Sequence, residues 1–397
     1  MTLPPAASHS PSWWNREVIF LFAATFLAYA NNSVFFQFYE YLHTLPIEVR
    51  WFGLLISVFS AVSLIVRPVV SSLLHRGNAY RSLLVGTALV IVTLAAYSLG
   101  QGLWSLLLVR SLHATAYVLL GAALMTVTVT FIPRERSAQF FGFLAILILI
   151  PNTMIPPALP FLTRLAGGFP QVLILFALIN LLMFPLVLAA RSFKGTERDP
   201  TAASPLSRQE ILRDLRDTRV VLILAAMLLL YSAHALIFFF LDGYGRSLGI
   251  EATGFFLTLS TLGEIGVRLA ASSFFDRGNK ASVAALTMTG IALAYALLSL
   301  VRESVPFFSL GLVLGLGWGI AMPVFNGLIF DVSLPRLRAF NTNLGLQMFQ
   351  AGFFLGPFVG APVTLNLGFP ALFLMCAAFS LVSAALAFLL KHRGLDS

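Results

Sequence analysis

The chain of 397 residues predicts an all-α polytopic membrane protein, with twelve transmembrane helices in two pseudo-symmetric six-helix lobes. Three observations carry that expectation. The chain is 58% hydrophobic and 10% charged, with a mean hydropathy of +0.90, whereas a soluble domain carries roughly 25% charged residues. Apolar runs of the roughly 20 residues that cross a bilayer recur along its whole length. Finally, Arg67-Pro-Val-Val-Ser-Ser-Leu-Leu-His-Arg-Gly-Asn78 returns 201 residues later as Arg268-Leu-Ala-Ala-Ser-Ser-Phe-Phe-Asp-Arg-Gly-Asn279, identical at six of twelve positions. A chain that repeats itself at half its length is built from two similar halves.

Apolar runs, read against turns and charges, place the spans near 18–42, 51–74, 82–100, 103–131, 137–163, 170–190, 219–241, 252–275, 281–300, 305–330, 340–365 and 370–390. The first fifteen residues contain Pro and Ser, with Trp13 and Trp14 at the expected membrane interface. They lack the basic segment, short apolar core and cleavage site of a secretory signal. The longest polar segment joins the halves, so the expected organisation is an N-terminal lobe over 1–190, a linker over 191–218 and a C-terminal lobe over 219–397. Within the linker, Ser207-Arg-Gln-Glu210 resembles a helix capping box.

Basic residues set the orientation. The side holding both termini and the linker carries about 18 Lys and Arg, and the opposite side about four: Arg50, Arg164, Arg246 and Arg302. Both termini are therefore expected in the cytoplasm, with the positive surface facing anionic lipid. The net charge of +9 needs no nucleic-acid partner.

The sequence also excludes function classes. The single cysteine, Cys376, allows no intrachain disulfide and no cysteine metal site. No phosphate-binding loop, metalloprotease His-Glu-x-x-His or Gly-x-Ser-x-Gly nucleophile turn is present. No enzyme activity, metal or cofactor is expected, and ATP is not the expected energy source. Paired membrane repeats are an architecture of secondary transporters, which work by alternating access.

Two motifs carry a family resemblance over nearly the whole chain. Gly53, Arg67, Pro68, Arg76 and Arg81 follow the loop signature after span two of the major facilitator superfamily, with His75 where that signature has an acidic residue. The second copy keeps Asp276 and Arg277. Gly352-Phe-Phe-Leu-Gly356-Pro357-Phe-Val-Gly360 matches the Gly-x-x-x-Gly-Pro-x-x-Gly signature of the family's proton-driven exporters, displaced from span five to span eleven. Span five keeps Pro156, 201 residues before Pro357, without the glycines. The chain thus resembles the drug- and sugar-efflux-like branch of that superfamily. The resemblance implies gate roles for Arg67, His75, Arg76, Asp276, Arg277, Gly352, Gly356, Pro357 and Gly360. It also implies that spans one, four, seven and ten line a central cavity. A further echo, Phe36-x-Phe38-x-Glu40 against Phe238-x-Phe240-x-Asp242, ends spans one and seven alike, where solvated or gating roles are expected.

Ionisable residues inside spans are costly and are functional candidates by default. Glu264 lies about twelve residues into span eight, roughly 18 Å along the helix and near the midplane, with Arg268 one turn on. It is a candidate proton site, or half of a permanent ion pair. Arg110 and His113 in span four are further proton-coupling candidates, although Arg110 is near enough to the outer surface to snorkel. Asn31, Asn32, Gln37, Tyr117, Tyr231, His234, Trp318, Asn326 and Gln347 are substrate-cavity candidates, or interhelical hydrogen-bonding groups. The expected function is proton-coupled export of a small organic compound, with uptake of a sugar, organic acid or other metabolite as the alternative. The expected partners are that small molecule, protons and membrane lipid, for a monomer in a bacterial inner membrane.

Overall fold

The computed structural model describes residues 16–74, 76–129, 131, 137–190, 216–250, 252–271, 279–334 and 337–391. Side chains at 76, 129, 137–142, 271 and 339 lie outside that description, as do all of His75, Asp276 and Arg277. Regular structure among the described residues is entirely helical. In a bilayer every backbone polar group must find a partner, and a helix supplies one within its own segment.

The first half contains α1 (Arg16–Ser33), α2 (Phe38–His43), α3 (Phe52–Leu73), α4 (Arg76–Ala96), α5 (Leu103–Val129), α6 (Ser137–Ala166), α7 (Phe169–Asn180) and α8 (Met183–Ala190). The second contains α9 (Thr218–Ser247), α10 (Gly254–Ala271), α11 (Lys280–Leu298), α12 (Ser304–Val332) and α13 (Arg338–Lys391). Among the described residues, ten stretches are long and apolar enough to cross a membrane. The last, Phe340–Lys391, covers both runs expected at 340–365 and 370–390. It changes direction at Gly368 alone, whose φ of 80° is open to glycine but strained for other residues. The run expected at 252–275 is α10, which holds Glu264 and Arg268 and is not among the ten.

Two spans are less regular than their sequences predict. α1 passes through a 3-10 turn at Val34–Gln37 before α2, and α7 and α8 are separated at Leu181 and Leu182. Conversely, α6 stays helical through Pro151, Pro156, Pro157 and Pro160. Proline lacks the N–H that would bond the carbonyl four residues back. For Pro157 that carbonyl is Thr153 O, which instead accepts from Thr258 Oγ1 of α10 at 2.8 Å. A neighbouring helix thereby satisfies the group, as membrane helices require.

The halves meet along α3 with α13 and α6 with α10, and where α2 reaches α9. The named contacts cluster toward one end of the bundle. Tyr39 lies 4.7 Å from Phe240 between ring centroids, and Phe36 lies 6.2 Å from Phe238. Gly53 sits so close to α13 that a Cβ there would lie 2.9 Å from both Ala361 Cβ and Pro357 O. Gly254 abuts the backbone of Pro156 and Pro157 with no room for a side chain. α1 runs from Arg16 toward this end, so the described start of the chain lies at the opposite end. The bundle is closed at the end holding the turns near 44–48 and 248–250.

Candidate functional site

Charged side chains form three groupings inside this apolar bundle among the described residues. The first is built on α10. Glu264 is buried, and its Oε1 accepts from Arg268 Nη2 at 2.5 Å, one helical turn away. Helical spacing places both side chains on one face. Gly319 of α12 lets the main chain at Glu264 approach closely, since a Cβ there would come within 2.9 Å of the Glu264 backbone. Arg268 also reaches Met322 Sδ at 3.9 Å, and its charge acts on Tyr231 and His234 of α9. The His234 ring lies 4.3 Å from Trp318 and 5.9 Å from Phe353. Its Nδ1, Trp318 Nε1 and Asn326 Oδ1 are buried without a hydrogen-bond partner among the described residues. The structure therefore gathers five expected residues, Tyr231, His234, Glu264, Arg268 and Trp318, with Asn326 alongside on α12. Gln347 is buried as well, its Oε1 unpartnered.

The second grouping surrounds Arg110, which does not take the snorkelling alternative open to it. Arg110 is buried and turns inward, donating to Leu55 O at 3.2 Å and Ile56 O at 3.1 Å on α3. Its guanidinium lies 4.3 to 5.2 Å from the ring centres of Phe38, Phe35 and Phe59. Tyr97 Oη accepts from it at 3.5 Å and lies 3.2 Å from His113 Nδ1. Aromatic faces and carbonyl dipoles solvate the charge in place of water. Arg110 and His113 thus tie α5 to α3 and the turn after α4. Tyr117, one turn beyond His113, packs on Phe59 at 5.6 Å and remains partly open.

The third grouping lies at the closed end. Asp242 is buried and accepts from Thr253 Oγ1 and, at 3.1 Å, from Arg246 Nε. Glu40 approaches from the first half, its Oε1 only 2.6 Å from where a Cβ on Gly243 would stand. The two carboxylates and Arg246 act on one another electrostatically. Beside them opens a cavity of about 800 Å³, lined by Gln37, Glu40, His43, Thr163, Gln171 and Arg246 among others. Of the substrate-cavity candidates, only Gln37 belongs there, accepting from Thr163 Oγ1 at 3.2 Å.

Other expected residues fall elsewhere. Asn31 is fully buried and forms a reciprocal amide pair with Asn180 of α7, at 3.0 and 2.6 Å. That pair joins the first and sixth spans and commits the Asn31 amide to an interhelical bond. Asn32 is partly exposed. Gly352, Gly356 and Gly360 press against Tyr231, Ser232 and Leu236 of α9, within the second half. Pro357 faces the other way, its carbonyl toward Gly53. One signature therefore serves two interfaces. Arg67 lies inside α3, its Nε buried and unpartnered, without an ion pair among the described residues. Sequence reasoning missed Asn180 and Thr258. Asn180 was detectable as a lone amide in an apolar run, whereas Thr258 acquires meaning only beside Pro157.

Comparison with known proteins follows the same lines. A family model described as Major Facilitator Superfamily matches residues 21–346. Multidrug resistance protein MdtG of Escherichia coli strain K12 is 24% identical over 400 residues, covering 96% of each chain. Among solved structures, a bacterial homologue of the human lysosomal transporter Spinster, inward-facing and unoccupied, superposes with a TM-score of 0.83 at 15% identity, covering 98% of each chain. The nucleoside transporter NupG gives 0.73 at 15% identity, covering 96% of this chain and 100% of that one. A POT peptide transporter variant gives 0.78 at 13% identity, covering 95% of this chain and 94% of that one. With a helical bundle of membrane-crossing segments and a family match over most of its length, the chain is an integral membrane transporter of small molecules that belongs to the Major Facilitator Superfamily.

Proposed function

We propose that this transporter exports a small organic compound from the cytoplasm in exchange for protons, by alternating access between lobes at 1–190 and 219–397. The linker at 191–218 and both termini then face the cytoplasm of a cell whose inner membrane holds the protein as a monomer. The observation that carries the reading is the buried Glu264–Arg268 pair within α10, grouped with Tyr231 and His234. A carboxylate inside a membrane span is costly to keep charged, and an adjacent guanidinium offsets that cost. Protonating Glu264 releases Arg268, so one proton changes both the charge and the bonding of the group. The multidrug-resistance relative supports the outward direction.

The closed end supplies the second component. With the termini cytoplasmic, this is an outward-closed state, in keeping with the inward-facing Spinster homologue. Glu40 and Asp242 come from opposite lobes and face each other across the closure, where Asp242 pairs with Arg246. A proton arriving from outside relieves repulsion between the two carboxylates and favours closing. Release of a proton to the cytoplasm from Glu264 restores its pair with Arg268 and resets the carrier. The test is efflux from proteoliposomes under imposed pH gradients of either sign. Export driven by an inward proton gradient and made indifferent to pH by Glu264→Gln is expected. Gradient-independent flux, or wild-type pH dependence in Glu264→Gln, sinks the coupling mechanism. Accumulation along the proton gradient reassigns the protein to uptake.

A further inference from the structure

The two repeats differ at one pair of positions in a way that bears on the substrate. In the second half Arg268 has Glu264 one turn before it, and the two are paired. In the first half the corresponding residues are Arg67 and Ser63. Ser63 is buried, and its hydroxyl turns back to donate to Phe59 O at 2.8 Å. No carboxylate among the described residues is within ion-pair distance of Arg67, and its buried Nε has no partner. The repeat thus keeps the cation and omits its counter-ion.

The surroundings of Arg67 are suited to a ligand. The residue lies six positions before the end of α3, about 9 Å at 1.5 Å per residue, so it is still within the span. Tyr117 of α5 packs on Phe59, two turns before Arg67 on α3, and Tyr29 stands on α1, which packs against α5 as α3 does. Both are partly open, as is Arg67 itself, while Ser63 beneath them is sealed. Because the bundle is closed at the far end, entry to this group is from the end holding the chain's described start. A cation held within a span without a counter-charge is costly. Guanidinium and phenol together offer directed donors to a carboxylate or sulfonate. Phe59, 5.6 Å from Tyr117, supplies an apolar face beside them.

We propose that Arg67, Tyr29 and Tyr117 form a subsite for the oxyanion of a small organic anion with an apolar body. The assignment rests on the transporter reading and narrows it to a substrate class. It also replaces the purely gating role that the family resemblance implies for Arg67. The same chemistry would hold the headgroup of an anionic lipid, so the test separates the two sources.

Thermal unfolding of the purified full chain is followed in neutral detergent with benzoate, benzenesulfonate, benzamide and benzylamine. The two anions are expected to raise the melting temperature saturably, and the neutral and cationic analogues to leave it unchanged. Arg67→Gln should weaken the anion effect about tenfold or more, with part of it restored in Arg67→Lys. Ser63→Glu gives an independent arm, because it keeps Arg67 and supplies the carboxylate that the second half already has; it should suppress anion binding equally. Equal responses to all four compounds, no response to either anion, or anion binding unchanged in both Arg67→Gln and Ser63→Glu overturn the subsite. Repeating the titration in nanodiscs with and without phosphatidylglycerol identifies the occupant. Competition by that lipid strong enough to abolish the benzoate effect assigns the site to a headgroup and overturns the substrate role. Efflux of benzoate undiminished in Arg67→Gln removes the subsite and leaves the transporter reading standing, whereas anion binding without flux does the reverse.

Discussion

Substituting Gly53 by valine should open the closed end of the bundle. A Cβ at this position would lie 2.9 Å from Ala361 Cβ, 2.9 Å from Pro357 O and 3.4 Å from Phe358 O. Carbon atoms pack at about 3.5–4.0 Å, so α3 and α13 must separate by roughly 0.6–1.1 Å to admit even the first methyl group. The obstructing atoms are a Cβ and main-chain oxygens, with no flexible side-chain end to swing aside. Overpacking of this kind costs about 1–3 kcal/mol. The cost falls on the state in which the helices touch. At about 1.4 kcal/mol per factor of ten, the population shifts away from closure by about five- to a hundredfold. The assay is the rate at which a membrane-impermeant maleimide labels Phe238→Cys in a Cys376→Ser background. Phe238 is buried and lies against Phe36 of the other half, so its replacement becomes accessible only as the end opens. Gly53→Val should raise the rate by that factor. Gly290→Val, where a Cβ meets nothing within 4 Å, should leave it unchanged. Unchanged labelling in a folded Gly53→Val protein would show that this close approach does not define closure.

Further expectations follow from single contacts. Thr258→Val keeps the shape of the side chain but strands Thr153 O beside Pro157, favouring the open state by about 1 kcal/mol, or roughly fivefold in the same labelling assay; no change would mean that another donor serves that carbonyl. Asn31→Leu leaves buried Asn180 with one bond, to Phe176 O, in place of its amide pair, and should destabilise the protein by about 1–3 kcal/mol in detergent denaturation. Asp217 caps α9 by accepting from Arg219 N at 2.9 Å, and the Arg219 guanidinium holds its carboxyl below the usual carboxylate range. Asp217→Ala should therefore cost about 0.5–2 kcal/mol at neutral pH. Because the carboxyl is depressed in the folded state, its contribution is present above the ordinary aspartate range and disappears as pH falls through the lowered value. Equal loss at neutral and strongly acid pH would contradict that assignment.

The sequence by itself determined most of the places where the chain can cross a membrane, the run at 252–275 excepted, because crossing depends on local composition: about 20 apolar residues suffice whatever their neighbours. It also made the duplication legible, and with it the shared endings of the first and seventh spans at Glu40 and Asp242. The ionic pair Glu264–Arg268 could be read directly, since two residues four apart on one helix necessarily share a face. What only the tertiary structure decided is how each helix is rotated and which partner it meets. Arg110 was within reach of the outer surface by its position, yet α3 offers carbonyls and three phenylalanines that draw it inward. Asn31 read either as a cavity residue or as an interhelical hydrogen-bonding group, and its partner Asn180, 149 positions away, is visible only in the assembled bundle. Gly352, Gly356 and Gly360 announced close packing without naming the partner, which is α9. Hydropathy and spacing repeat within one helix, whereas these pairings link helices far apart in sequence. Their energies depend on contacts of a few ångströms that exist only once the bundle is assembled.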